Sequence, residues 1–325
     1  MPDPEPNESS DVQPVRLSEL PNLMEDFFGQ DYRQHRLGLG GTWMGSHLSW
    51  LRLDQAVDRE AFGNVFSFRS PAGDQLPPPE WSETDPIIAQ RITFTGNPLV
   101  SRLWGLASPG RRLSLVGMRS LATEKAIKSL QEAAAPQAES GLSIRGRGCH
   151  CAVFHSGAAP DQTPRLETTI LVAQQYRLPS GQEVHFPLVL EPFSVSELMG
   201  LCEWRRLRGC LGIFGLPERN QIPENLFSPP TQRDLGLNEQ ILPNRRLVGS
   251  ELFAAWRNQA AIKGFDEERV EAMFAAGRLP GKVDRGDRNG LDPVGFNAVY
   301  RAVARTDSRL STPTIEKDRS HGPSL

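Results

Sequence analysis

The side chains best suited to chemistry fall into a few short clusters. Cys149, His150 and Cys151 are consecutive, and His155 follows four residues after Cys151. Thiolates and imidazoles bind zinc, but on a strand Cys149 and Cys151 face one way and His150 the other. Cys202 and Cys210 are eight residues apart and form no CxxC knuckle. The cysteines therefore read as buried core thiols. The Gly-Leu-Gly-Gly run at 38–41 lacks the Lys-Ser/Thr of a phosphate loop and follows no hydrophobic strand, so it reads as a turn. Residues 284–296 resemble a calcium loop only in outline. With Asp284 first, Gly286 takes the third place and Gly295 the twelfth, where oxygen ligands are needed. Arg145, Arg147, Arg205, Arg206 and Arg208, with Trp204, would suit stacking and phosphate pairing along a single strand. A solvated helix face accounts for the same residues. There is neither a G-x-S-x-G elbow nor an HExxH helix.

The elements that must position such groups are short and interrupted. The chain has 29 glycines and 27 prolines, which argues for many turns and against a helical bundle. Residues 87–94 (IIAQRITF), 149–154 and 168–172 are short and apolar and read as strands, the last two joined by a polar loop at 156–165. Residues 184–190 are a further strand candidate. Residues 113–135 place Ala122, Ala126, Ile127, Leu130 and Ala134 on one helical face, ended by Pro136. Ser250 is placed to cap a helix carrying Phe253, Trp256 and Ala260, with Gly264 as its C′ residue. Asp266 is placed to cap a second helix with Val270, Met273 and Phe274, closed by Gly277 and Pro280. Strands and helices do not alternate regularly, so the class is α+β.

Charge and composition narrow the function. The 325 residues carry 36 Lys+Arg against 39 Asp+Glu, a net charge of −3, which removes the general case for a strongly basic nucleic-acid binder but leaves room for a local basic groove. Mean hydropathy is −0.41, and no apolar run is long enough for a membrane span. The acidic, Pro-rich start is unlike a signal peptide. A cytoplasmic protein without membrane contact is expected.

A longer pattern begins at Trp43. Trp43, Gly45, Leu51, Leu53, Val57, Asp58 and Phe62 follow W-x-G-x(5)-L-x-L-x(3)-V-D-x(3)-F without a gap. Asp31-Tyr32 precedes it, and residues 92–101 (ITFTGNPLVS), 153–155 (VFH), 161–172 (DQTPRLETTILV) and 252–265 (LFAAWRNQAAIKGF) follow in order. Taken together these segments resemble the N-terminal domain of the TrwC/MobF family of conjugative relaxases, over about residues 20–275. The resemblance implies a central antiparallel sheet flanked by helices. It also implies a tyrosine that attacks a DNA phosphodiester, and three histidines holding a divalent metal at the scissile phosphate.

Position by position, the resemblance places this chain outside that chemistry. Of the metal triad it leaves His155, with Glu167 and Thr169 at the other two places; the family also has an Asp that assists its tyrosine, which corresponds here to Arg91, and a Lys in the turn after the strand, which corresponds to Pro98. Of the tyrosine pairs it leaves Tyr32, since Tyr176 and Tyr300 lie far along the chain and Phe27-Phe28 carry no nucleophile. The expectation is a relaxase-like protein without strand transfer, a pseudoenzyme that keeps single-stranded DNA binding or an accessory role with an unidentified protein partner, and that holds no cofactor. Two alternatives stand beside it. One is an active relaxase or nuclease using Tyr32, with His155 and Glu167 holding Mg²⁺ or Mn²⁺. The other is an interaction protein with no nucleic-acid role. The expected layout is a disordered leader at 1–16, the relaxase-like domain at 17–280, a turn and helix at 281–305, and a disordered tail at 306–325.

Overall fold

The computed structural model describes residues 10–45, 56–74, 84–96, 98–134, 150–173, 175–177, 183–185, 222–236 and 246–276. Its centre is a five-stranded antiparallel sheet of β1 (Ser10–Arg16), β2 (Gly41–Gly45), β3 (Ile87–Thr95), β4 (His150–Ala158) and β5 (Pro164–Ala173), in the order β1-β3-β5-β4-β2. A small ribbon, β6 (Gln175–Arg177) with β7 (Glu183–His185), follows. The helices are α1 (Leu20–Phe28), α2 (Gln30–Gln34), α3 (Arg59–Phe66), α4 (Pro98–Leu106), α5 (Pro109–Ala134), α6 (Ser250–Ile262) and α7 (Glu267–Ala276). The α+β class is the one read from the residues, and the central antiparallel sheet is the one the resemblance implies.

β4 and β5 run through the middle and are buried along nearly their whole length. Their runs of Ala, Val, Ile and Leu suit strands covered on both faces. On one face, Ala122, Ala126 and Ile127 of α5 pack on Ile92, Phe94, Val153 and Ile170. On the other, Phe27 of α1 and Phe62 and Phe66 of α3 pack on Trp43, Phe154 and Leu171. A third cluster joins α4, α6 and α7 to the hairpin end of the sheet through Trp104, Trp256, Leu103 and Leu166. Phe62 and Trp256 are wholly buried, and each such side chain contributes about 1.5–3 kcal/mol by leaving water.

Three sequence expectations change here. Residues 10–16 are not part of a disordered leader: they form β1, paired with β3 from Ser10↔Phe94 to Val15↔Ala89. Pro14 is tolerated because β1 is an edge strand, and Val15 is buried beneath it. The loop expected at 156–165 is half that length. Strands run on through Ala158 and from Pro164, leaving residues 159–163 as the turn. That turn closes on Asp161, whose Oδ1 accepts from the Thr163 amide and hydroxyl, and on Gln162, held at φ 66° by hydrogen bonds to Leu247. Finally, the cap of α6 is Gly249 rather than Ser250, with the Glu251 carboxylate accepting from the Val248 amide. Cys151 is a buried thiol on the α5 face. Residues 281–325, Cys149, Cys202, Cys210, the arginine cluster around Trp204 and Tyr300 lie outside the described residues.

Candidate functional site

The register of β4 against β5 decides which side chains can meet. His155 lies opposite Thr168 and Ser156 opposite Glu167, and residues directly opposite in a sheet share a face. His155 therefore belongs to the α5 face. Glu167 and Thr169 belong to the other, together with Ser156, Phe154 and Arg91. The structure does not bring His155 and Glu167 together, which counts against the metal pair of the alternative, active-relaxase reading. The reason is the period of two along a strand: a one-residue offset sends a side chain through the sheet.

On its own face His155 is enclosed. Its Nδ1 is 2.9 Å from Thr168 Oγ1 and its Nε2 is 3.0 Å from Ser120 Oγ of α5. Arg119, also buried, donates from Nε to Thr168 Oγ1 at 2.5 Å and from Nη2 to the Phe94 carbonyl at 2.8 Å. Burial, then the neighbouring Arg119 charge, hold the His155 imidazole down at about 3, so it is neutral at pH 7. This histidine ties α5 to the sheet.

Tyr32 reaches the opposite face from α2. Its hydroxyl donates to the His155 carbonyl at 2.6 Å, and its ring meets Phe27 and Phe154 edge-on. Gly38 closes over that ring so tightly that any Cβ there would overlap it. Burial raises the phenol far above its ordinary value, against a smaller opposing effect of Arg36. The hydroxyl is a hydrogen-bond donor to backbone, buried and held.

Between α1, α2 and this face lies a cleft of 230 Å³, with Phe27, Phe154 and Tyr32 as its apolar wall. Its charged groups are paired. Arg36, just beyond α2, donates from Nη2 to Glu167 Oε1 at 2.9 Å and from Nε to the Ala158 carbonyl at 2.9 Å. The other Glu167 oxygen is 3.5 Å from Arg165 Nη2, which also donates to Thr95 Oγ1. Arg91 lies over the Phe27 ring and 3.5 Å from Asp26. Arg246 reaches Asp31 at 2.5 Å. Sequence reasoning placed Tyr32, Glu167, Thr169 and Arg91 at this cleft and missed Arg36, Asp26 and Ser156.

A divalent metal suits these residues poorly. Glu167 already sits between two guanidinium groups, which repel a cation, and its face offers Ser156 and Thr169 as hydroxyls rather than imidazoles. Among the described residues, no three His, Cys, Asp or Glu side chains converge as a metal site.

No family model matches the chain, and no curated protein matches it. Solved structures do. Conjugative relaxase TrwC in complex with oriT DNA is similar in its metal-bound form at 14% identity with a TM-score of 0.51, covering 91% of this chain and 98% of that one. The metal-free and copper-bound complexes of TrwC are similar over the same shares at 15% identity, each with a TM-score of 0.51. The chain thus has the fold of the TrwC relaxase.

Proposed function

We propose that this protein is a relaxase-like, DNA-associated protein that holds single-stranded DNA and does not cut or transfer it. The observation that carries the second half is Tyr32. A tyrosine attacks phosphorus as phenoxide, and even an exposed phenol near pKa 10 is only about 0.1% ionised at pH 7. Here burial lowers that fraction further, and the hydroxyl proton is committed to the His155 carbonyl rather than to a base. The first half is supported by the fold shared with TrwC, whose solved structures are complexes with oriT DNA. The rival reading, a Tyr32 nucleophile served by a His155/Glu167 metal site, asks two side chains on opposite faces of a sheet to share one ion.

The test is an incubation of the full chain with fluorescently labelled, origin-type single-stranded DNA and Mg²⁺ or Mn²⁺. Denaturing gels are expected to show no cleaved strand and no protein–DNA adduct. Anisotropy under the same conditions is expected to show binding that weakens steeply with salt, as phosphate contacts release counterions. An adduct abolished by Tyr32→Phe overturns the loss of chemistry. An absence of salt-dependent binding at about 50 mM salt returns the protein to the interaction-protein reading, which its net charge of −3 suits.

A further inference from the structure

We propose that Arg36 is the resident cation of the cleft: its guanidinium, with the hydroxyls of Ser156 and Thr169, forms a seat for a DNA phosphodiester that needs no divalent metal. This rests on the reading that the chain binds single-stranded DNA and names how the cleft does so.

Arg36 is fixed from both ends. Its carbonyl accepts from the Gly157 and Ala158 amides at 3.0 and 3.1 Å, and its Nε returns to the Ala158 carbonyl. The side chain is therefore anchored to the end of β4, yet 23% of it remains exposed along the cleft. A guanidinium has five N–H donors in a planar fork, and only two are used in these hydrogen bonds. The remainder can meet phosphate oxygens, with which a planar fork pairs two at a time.

The charge around it favours an anion more than the cluster of acids suggests. Glu25, Asp26, Asp31 and Glu167 all line the cleft, but each faces an arginine: Arg59, Arg91, Arg246 and Arg36 in turn. Glu167 faces a second one, Arg165, so these pairs leave one positive charge in excess, and it lies at Glu167. Ser156 and Thr169 flank Glu167 on the same face with buried side chains and neutral hydroxyls able to donate. A metal brings positive charge to a phosphate from solution; here the charge is covalently part of the chain.

Single-stranded DNA anisotropy tests this with the full chain, in excess EDTA and in Mg²⁺. Binding no weaker in EDTA than in Mg²⁺ is expected. Arg36→Gln is expected to weaken binding about tenfold, the loss of one charged hydrogen-bond donor, and to reduce the log–log salt slope by about 0.7, one phosphate contact. Glu167→Gln, which frees Arg36 from its carboxylate, is expected to tighten binding. Arg269→Gln on α7, an equal charge change outside the cleft, is the control and is expected to leave binding unaltered. Should Arg36→Gln fail to fold, the Glu167→Gln comparison carries the test alone. Binding that requires Mg²⁺, or cleft variants that behave as Arg269→Gln does, overturns the seat and leaves DNA binding standing. Absence of binding by the unaltered chain overturns both.

Discussion

The two faces of the central sheet handle polar groups in opposite ways. Beneath α5, Arg119, Ser120, His155 and Thr168 are each no more than 4% exposed and are held by direct hydrogen bonds. On the cleft side, Arg91, Asp26, Arg246 and Asp31 are between 32% and 62% exposed and pair across the rim. A buried polar group that loses its partner bears the full cost of desolvation, whereas an exposed ion pair trades one partner for water at little cost. The closed face is built to stay as it is. The cleft face is built of pairs that an incoming anion can exchange.

The largest effect is expected where the closed face is opened. Arg119→Met removes the donors to Thr168 and the Phe94 carbonyl and leaves that carbonyl buried short of a partner. A loss of about 3 kcal/mol in urea unfolding is expected, since hydrogen bonds to charged groups contribute about 1.5–3 kcal/mol each. A loss below 1 kcal/mol would put the two faces on the same footing.

Acid should separate them next. The His155 imidazole is held at about 3 in the folded chain against an unfolded value near 6.5. Between those values the unfolded state binds a proton that the folded state refuses, so stability falls as pH drops through 6.5. The expected slope is about 1.4 kcal/mol per pH unit, ending near pH 3. His155→Gln is expected to flatten this part of the profile in urea titrations at pH 7, 6 and 5. An unchanged slope in that variant would mean that another group governs acid sensitivity.

A smaller effect is expected at the junction of the faces, where Tyr32 spans from the cleft to the His155 carbonyl. That carbonyl also accepts from the Leu39 amide at 2.9 Å, so Tyr32→Phe leaves it partnered. The expected cost is about 1 kcal/mol, one neutral hydrogen bond.

The fold was more legible than the site. Strands such as 87–95 and 164–173 announce themselves by β-branched and apolar runs, and α5 by the spacing of Ala122, Ala126 and Ile127. β1 was hidden because its apolar signal is only Val12 and Val15 beside a proline, and pairing with β3 supplies the rest. The site failed on parity. Reading the turn as 156–165 left the register of β4 against β5 unset, and a single step exchanges His155 for Ser156 on the cleft face. Arg36 carried no signal, because its partner Glu167 lies 131 residues away and only the fold brings them together.

The smallest effect is expected at Arg91, and it bears most directly on the contrast between the faces. Arg91 meets Asp26 at 3.5 Å, with 32% and 56% of the two side chains exposed, so solvent and salt screen the pair. Its guanidinium also lies over the Phe27 ring. Arg91→Ala is expected to cost under about 1 kcal/mol, the range of exposed ion pairs, and most of that loss should vanish in high salt. If the loss instead reaches that of Arg119→Met and persists in salt, the rim is locked as firmly as the core beneath α5. An anion could then enter the cleft only by breaking the fold, and the exchangeable face would not exist.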